Sequence, residues 1–167
     1  YAEARGVVRS EGNCVQVLRK ENGFIKALEL ADGRKIHGDF FIDCSGFNAL
    51  LIGRALGVEF EDWSSYLPCN RAIVVKTQVA GSRMPYTTAT ARKSGWSWRI
   101  PLRNSTGHGY VYSSQFCTDA EAKTTLLKNL DAPRINDPRV IHFTTGRRTE
   151  FWRDNCLALG LSGGFIE

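Results

Sequence analysis

Short apolar runs separated by turn signals fill the first third of the chain, and this feature most limits the folds open to it. Asn22-Gly23 separates the runs at residues 14–18 and 24–30, and Asp32-Gly33 precedes a short predicted strand at residues 34–37. Asn-Gly and Asp-Gly between apolar runs are the strongest short-range signals for β-hairpins. The sequence therefore predicts β structure over residues 1–45.

Two helical segments interrupt the later strand-like runs. Residues 40–42 are apolar and too few for a helix, which is typical of a strand buried on both faces. Residues 49–56 predict a short helix ended by Gly57. The sequence Thr118-Asp119-Ala120-Glu121 has the capping-box pattern, which predicts a helix from there to about residue 130.

The remaining runs complete a mixed pattern. Further strands are expected at residues 72–79, 86–91, 95–100, 110–113, 139–145, 149–152 and 156–161, with irregular chain at residues 58–70 and 104–109. This order indicates an α+β fold, or a mixed α/β domain interrupted by a sheet insertion.

Composition and charge exclude several functional classes. A length of 167 residues suits one domain or pieces of two, and 43% hydrophobic with 23% charged residues is typical of globular proteins. No run of about 18 apolar residues occurs, so no membrane span is expected. The net charge is +5, but the basic residues are scattered, which argues against nucleic-acid binding.

The cysteine pattern favours a reducing compartment. The five cysteines form no C-x-x-C pair, and Cys14, Cys44 and Cys156 lie in apolar strand-like runs. They are therefore interpreted as small buried side chains in the cytoplasm. The three histidines lie far apart in the sequence, so no metal site is expected.

Neither end of the sequence reads as a natural terminus. The chain begins at Tyr1 and ends at Glu167, directly after an apolar run at residues 157–166. Natural termini usually trail off in polar, weakly packed residues. We therefore expect an internal fragment of a longer protein.

Two strand ends carry small residues that a ligand could approach. Asp43-Cys44-Ser45-Gly46 follows one predicted strand, and the glycine-rich residues 160–165 follow another. In open α/β sheets, ligands lie beyond the carboxyl ends of the strands. Both segments are candidate cofactor contacts, although turns that simply require small residues would look the same. No G-x-G-x-x-G or phosphate-loop pattern is present.

A pair of tryptophans marks a second candidate region. Trp96 and Trp98 are two residues apart, so they share one face of a strand that Ile100 extends and Pro101 ends. Such a pair can line a pocket, but by composition alone core packing is its more frequent role. No nucleophile–base pair or G-x-S-x-G elbow accompanies it.

Together these segments resemble the flavin-dependent tryptophan halogenases. Trp96-x-Trp98-x-Ile100-Pro101 is similar to that family's W-x-W-x-I-P signature, and residues 41–47 are similar to its second flavin-domain segment. Further matches follow in the family's order at residues 50–52, 60–64, 67–72, 109–114, 146–148, 155–156 and 160–162. One short motif would be weak, whereas this many in the right order is specific.

The resemblance implies a glutathione-reductase-like FAD-binding fold of the flavin monooxygenase type, present in part. Residues 1–57 would belong to the FAD-binding domain. Residues 58–152 would form a β-sheet-rich insertion on the substrate side, with one helix. Residues 153–167 would return to the FAD-binding domain.

The resemblance also implies a chemistry. Reduced FAD, supplied by a separate flavin reductase, would react with O2 and oxidise a halide ion to hypohalous acid, which halogenates tryptophan or a related indole. The catalytic lysine, the catalytic glutamate and the dinucleotide fingerprint are expected outside this chain, and Glu167 is interpreted as an earlier, non-catalytic glutamate. We therefore expect the isolated chain neither to hold FAD tightly nor to halogenate.

Site residues follow from the same resemblance. Trp96, Trp98, Ile100 and Pro101 would stand beside the flavin and disfavour direct monooxygenation. Cys14 falls where related flavoproteins place a strand residue whose backbone meets the adenine. The full set of implied cofactor contacts is Cys14, Asp43, Cys44, Ser45, Gly46, Leu161, Ser162 and Gly163.

Two alternatives stay open at this point. One is a flavin-dependent aromatic hydroxylase, against which the W-x-W-x-I-P signature argues. The other is a non-catalytic binding module on the same fold. Expected partners are a small aromatic substrate, a flavin reductase and, as one option, a second copy of the protein in a homodimer.

Overall fold

The computed structural model describes residues 1–81 and 85–167. The chain divides into two compact units. The first unit comprises Tyr1–Glu61 and Arg148–Gly164, and the second comprises Asp62–Arg147 and Phe165–Glu167. Within the described ranges, no helix is both long and apolar enough to cross a membrane.

Strands account for most of the regular structure, as expected of a strand-rich mixed α/β fold. The strands are β1 (Cys14–Arg19), β2 (Ile25–Leu30), β3 (Lys35–His37), β4 (Phe41–Asp43), β5 (Phe60–Asp62), β6 (Arg71–Thr77), β7 (Thr88–Arg92), β8 (Gly95–Pro101), β9 (Thr106–Tyr112), β10 (Arg139–His142), β11 (Gly146–Arg148), β12 (Trp152–Arg153), β13 (Cys156–Ala158) and β14 (Gly164–Phe165). The helical elements are α1 (Asp119–Lys128), a π-helix (Leu50–Ala55) and 3₁₀ turns at Glu3–Arg5, Gly46–Asn48 and Gly160–Ser162.

The first unit begins with the antiparallel sheet β1-β2-β3. Its two turns contain Gly23 at φ +90° and Gly33 at φ +85°, a left-handed conformation that glycine adopts without steric penalty. The hairpins predicted from the two turn signals are therefore confirmed. Their local chemistry, Asn-Gly and Asp-Gly, is sufficient to specify them.

A second sheet of the first unit has the order β12-β13-β4, and β13 runs parallel to β4. Phe41, Ile52 and Cys156 belong to the apolar core against which this sheet packs. The prediction that β4 is buried on both faces was wrong, because Ile42 is 54% exposed while Phe41 and Asp43 are buried. Within the described residues, only one face of this strand contacts the core.

The segment predicted as a short helix is a π-helix. Arg54 N donates to Ala49 O at 3.0 Å and Leu56 N donates to Leu51 O at 2.9 Å, both across five residues. Gly57, at φ +68°, follows the helix end as expected. Wide turns of this kind often occur at functional sites.

The second unit is built on a five-stranded antiparallel sheet with the order β10-β6-β9-β8-β7. Helix α1 covers one face, where Ala122 and Leu126 pack with Ile73, Val75 and Tyr110. The opposite face carries a separate cluster that includes Trp96 and Trp98. Consecutive residues of a strand point to opposite faces, so the side chains of this sheet contribute alternately to two different cores.

Helix α1 starts at the predicted cap. Thr118 Oγ1 accepts from Glu121 N at 3.2 Å, and Glu121 Oε2 accepts from Thr118 N at 2.8 Å. This confirms the capping box, which satisfies two backbone donors that would otherwise lack partners. The helix ends at Lys128, slightly before the expected residue 130.

Several expected boundaries were wrong. Strand β9 begins at Thr106 inside the segment expected as a loop, and one of its glycines, Gly109, faces the ring of Trp98 on the neighbouring strand. The segment 58–70 contains β5, and the strand expected at residues 149–152 is replaced by β11 and β12. The strand expected at residues 156–161 ends at Ala158 and continues as a 3₁₀ turn.

Candidate functional site

Two small-residue loops meet at one edge of the first unit. Because β4 and β13 are parallel neighbours, their carboxyl ends lie at the same edge of the sheet. Residues 43–46 comprise the last residue of β4 and the three that follow it, and residues 160–163 follow β13 after one intervening residue. We call these two segments the cofactor edge, since the ends of parallel strands are where ligands of α/β sheets bind.

Asp43 organises the cofactor edge from inside. Its Oδ1 accepts from Ser45 N at 3.0 Å and Ser45 Oγ at 2.6 Å, and its Oδ2 accepts from Leu51 N at 2.8 Å and Ile52 N at 2.9 Å. Burial alone would raise the pKa of this carboxyl group, but these hydrogen bonds together outweigh it and hold the pKa below the ordinary 3.8. The carboxylate therefore fixes the loop and the first turn of the π-helix.

Ser162 ties the second loop to the first. It is 1% exposed, and its Oγ donates to Asp43 O and lies 3.1 Å from Leu159 O. The backbone of Leu159 makes a second link by donating to Asp43 O at 3.0 Å. The end of β4 thus holds both loops in one arrangement.

Three residues of the cofactor edge are open to a ligand. Cys44 is exposed, and Leu161 is 39% exposed. Gly46 has φ +67°, and no heavy atom lies within 4 Å of the position that a Cβ would occupy there. Gly163, by contrast, is packed against the ring of Phe151, 3.0 Å from where its Cβ would be.

Cys14 does not join this group. It begins β1, in a different sheet from β4 and β13, and its Sγ lies 3.5 Å from Gln16 O. The structure therefore brings together the two predicted loops and leaves the predicted adenine contact elsewhere in the first unit.

Trp96 and Trp98 form an aromatic wall in the second unit. They lie on the face of β8 opposite α1, with ring centroids 5.7 Å apart and planes inclined by 49°. Both pack against the cluster of Ala72, Val111 and Phe143. The shared face predicted from their spacing is confirmed, and core packing accounts for part of their surface.

The indole of Trp98 rests directly on the backbone of β9. Trp98 pairs with Gly109 across the sheet, and a Cβ at Gly109 would lie 2.0 Å from Trp98 Cζ2. No neighbour can tolerate that distance, so the ring position depends on the absence of a side chain at residue 109. At the end of β8, Ile100 is 36% exposed and Pro101 pairs with Thr106.

Trp96 binds a partly buried carboxylate that the sequence did not reveal. Its Nε1 donates to Glu167 Oε2 at 2.8 Å. Burial raises the pKa of Glu167 above the ordinary 4.5, and the hydrogen bond from Trp96 opposes that rise. In the sequence Glu167 looked isolated, because its partner is 71 residues away.

Replacing Trp96 with phenylalanine is expected to raise the pKa of Glu167 further. The substitution keeps an aromatic ring but removes the donor that stabilises the charged carboxylate. Trp98→Phe is the matched control, since it leaves that donor in place. Carbon-13 NMR titration of the carboxyl resonances measures the shift, and an unchanged or lower value in the Trp96 variant would contradict the assignment.

His108 is a second residue that sequence spacing missed. Its Nε2 lies 3.1 Å from Thr77 Oγ1 and 3.3 Å from Asp131 Oδ1, and the residue is 5% exposed. Burial lowers the pKa of His108 below 6.5 in spite of the nearby carboxylate. No group of three or more potential metal ligands occurs in the part of the chain that the structure describes.

The chain has a partial FAD-binding fold. It is a strand-rich α/β structure in which two loops meet at the carboxyl edge of a parallel strand pair. The tryptophan halogenase family profile matches residues 1–167. The chain therefore belongs to the tryptophan halogenase family.

Individual relatives agree with this assignment. The 7-chloro-L-tryptophan 6-halogenase KtzR of Kutzneria sp. (strain 744) is 40% identical, with 100% of this chain and 33% of that protein covered. The flavin-dependent halogenase BrvH of Brevundimonas sp. BAL3 superposes with a TM-score of 0.89 at 46% identity, covering 99% of this chain and 34% of that one. A flavin-dependent halogenase from Xanthomonas campestris gives a TM-score of 0.90 at 44% identity, with coverages of 99% and 34%. The chain thus spans about a third of the length of these relatives.

Proposed function

We propose that the protein to which this chain belongs is an FAD-dependent halogenase. It would use reduced FAD and O2 to oxidise a halide to hypohalous acid for regioselective halogenation of tryptophan or a related indole. The observation that carries the proposal is the pairing of β4 with β13, which gathers both predicted flavin loops at one edge in a member of this family.

The residues present fit the flavin. Gly46 leaves open space where other residues carry a Cβ, and the two loops are accessible at Cys44 and Leu161 respectively. Such backbone can approach a planar ring or an anionic group closely. When bound, FAD would supply the oxidising equivalents for the halide.

The residues of the cofactor edge would have two different roles. Cys44, Ser45, Gly46 and Leu161 would contact FAD. Asp43, with Ser162 and Gly163, would act as positioning residues, because the Asp43 carboxylate and the Ser162 hydroxyl are already engaged inside the unit. The assignment of Cys14 to the adenine rests on the family resemblance alone.

The aromatic wall would discriminate against direct oxygenation of the substrate. Trp96 and Trp98 are fixed by packing and, at Trp96, by a hydrogen bond, so the wall is rigid without any ligand. A rigid apolar surface excludes water and limits the approach of a second reactant. Ile100 and Pro101 complete the signature at the end of β8.

Domain roles follow from the same proposal. Residues 1–57 and 153–167 would contribute to the FAD-binding domain, and residues 58–152 to the substrate-side region. A cytoplasmic location, a separate flavin reductase as electron source and a homodimer are part of the same proposal.

The test uses the full-length protein that carries this chain. It is combined with FAD, a flavin reductase, NADH and either chloride or bromide, and a panel of indoles is analysed by mass spectrometry. The expected product carries one halogen with its isotope pattern, and it disappears when halide is omitted. A hydroxylated product would identify an aromatic hydroxylase, and absence of FAD binding would identify a non-catalytic module.

A further inference from the structure

Helix α1 leaves part of its sheet uncovered. Five strands span roughly 19 Å at the usual spacing, whereas one helix covers about 10 Å. The helix packs on side chains of β6 and β9, so the same face of β7 and β8 flanks it. A cavity of about 110 Å³ lies there, which we call the flank pocket.

Most of the residues that line the flank pocket are polar, although Trp98 and Leu126 add apolar surface. Thr90 and Arg92 come from one face of β7, Ser97 from β8, His108 from β9 and Thr125 from α1. Thr90 pairs with Ser97 and Ser97 with Tyr110, so the pocket follows the cross-strand rows of the sheet. The fold therefore places hydroxyl groups and a guanidinium around one small space.

One positive charge at the flank pocket has no negatively charged partner among the residues that the structure describes. Arg99 is paired with Asp131 at 2.6 Å. Arg92 Nε donates to the neutral Ser97 Oγ at 2.9 Å, and no carboxylate within 4.0 Å pairs with Arg92 in the described part of the chain. One positive charge, with its outer N–H groups still able to donate, remains at the pocket.

Size restricts what could neutralise this charge. Pockets for drug-sized ligands occupy about 300–1,000 Å³, so an indole or a flavin does not fit. One water needs about 10–15 Å³ by the same kind of measure, which leaves space for a small ion and a few waters. From size and charge we infer that the flank pocket binds a small monovalent anion, held by Arg92 with Ser97 and Thr90.

Anomalous diffraction tests whether an anion binds at the flank pocket. Crystals of the full-length protein grown in sodium bromide are expected to show a bromide peak within hydrogen-bond distance of the Arg92 guanidinium. In Arg92→Lys the peak is expected to persist at lower occupancy, because the charge remains but the fork of donors is lost. Water alone at this position in the bromide crystals would overturn the inference.

Thermal unfolding tests the affinity. Titration with bromide against potassium gluconate at constant ionic strength is expected to raise Tm with saturation, as binding to the folded state requires. Arg92→Gln is expected to weaken the apparent affinity about tenfold, since a charge-assisted contact is lost. Arg103→Gln is the matched control on an exposed loop residue. Equal titration curves for Arg92→Gln and Arg103→Gln would overturn the inference.

Competition with acetate tests which chemical class of anion the flank pocket binds. Competition between acetate and bromide would support a general monoanion site, and bromide binding without competition would support a halide-selective one. These measurements need no turnover, so their outcome is independent of whether the protein halogenates an indole.

Discussion

Replacing Gly109 with alanine is expected to destabilise the protein by about 3 kcal/mol and to displace Trp98. The new Cβ would lie 2.0 Å from Trp98 Cζ2 and 2.1 Å from Cη2, so the indole has to leave its position. Urea unfolding of the full-length protein measures the stability. Near-ultraviolet circular dichroism reports the loss of the ordered tryptophan environment.

Gly107 provides the matched control for this change. It lies two residues earlier on the same strand, and a Cβ there would meet only Ile100 O at 3.8 Å and Ile100 Cβ at 4.0 Å. Gly107→Ala is therefore expected to change stability by less than about 1 kcal/mol. Comparable losses for the two alanine variants would show that the strand backbone, not the indole, sets the requirement for glycine.

A compensating substitution separates the clash from other effects. Trp98→Leu in the Gly109→Ala background removes the ring atoms that the new methyl group meets. The double variant is expected to recover part of the stability lost by Gly109→Ala, because the two residues are in contact and their effects do not add. Additive losses would contradict the proposed contact.

Local chemistry explains what the sequence could predict. Asn22-Gly23 specifies a hairpin through its own backbone preferences, and Thr118 with Glu121 specifies the start of α1 through two reciprocal hydrogen bonds. The shared face of Trp96 and Trp98 follows from the two-residue period of a strand. Each of these signals is complete within a few neighbouring residues.

Long-range contacts explain what it could not predict. The π-helix depends on Asp43, whose carboxylate binds Leu51 N and Ile52 N from outside the helix. The parallel pairing of β4 with β13 joins segments from opposite halves of the chain. Glycine in β9 looked like a loop signal, because the ring that requires it lies on another strand.

The meeting of the two loops at the cofactor edge is another long-range feature. Small residues after an apolar run mark a strand end, but the run itself does not show which strand ends are neighbours. Only the ordered resemblance to the tryptophan halogenases linked Asp43-Cys44-Ser45-Gly46 to residues 160–163. The structure then shows which residues of the two loops are accessible and which are packed inside the unit.

Replacing Asp43 with alanine is expected to destabilise the protein by about 3–5 kcal/mol. Three buried or partly buried backbone donors, at Ser45, Leu51 and Ile52, lose their acceptor at once. Asp43→Asn is expected to lose less, because its amide oxygen can still accept from one side of the site. Urea unfolding of the full-length protein gives both values.

Asp39→Ala is the control for this series, since Asp39 is exposed four residues earlier in the chain. Its effect is expected to stay within about 0.5 kcal/mol. The pH dependence gives a second check. The folded pKa of Asp43 is lowered, so its stabilisation is complete above the ordinary value of 3.8 and declines as the pH falls through the folded pKa. The difference between wild type and Asp43→Ala should therefore stay constant from neutral pH to about pH 5.

FAD affinity in the same variants tests the positioning role. If Asp43 acts by holding the two loops, Asp43→Asn lowers both stability and FAD affinity, because the arrangement that contacts the cofactor is less populated. Affinity lost without any change in unfolding would instead indicate direct contact between this carboxylate and the cofactor. Retained affinity in a destabilised Asp43→Asn variant would separate the cofactor edge from flavin binding and would count against the proposed site.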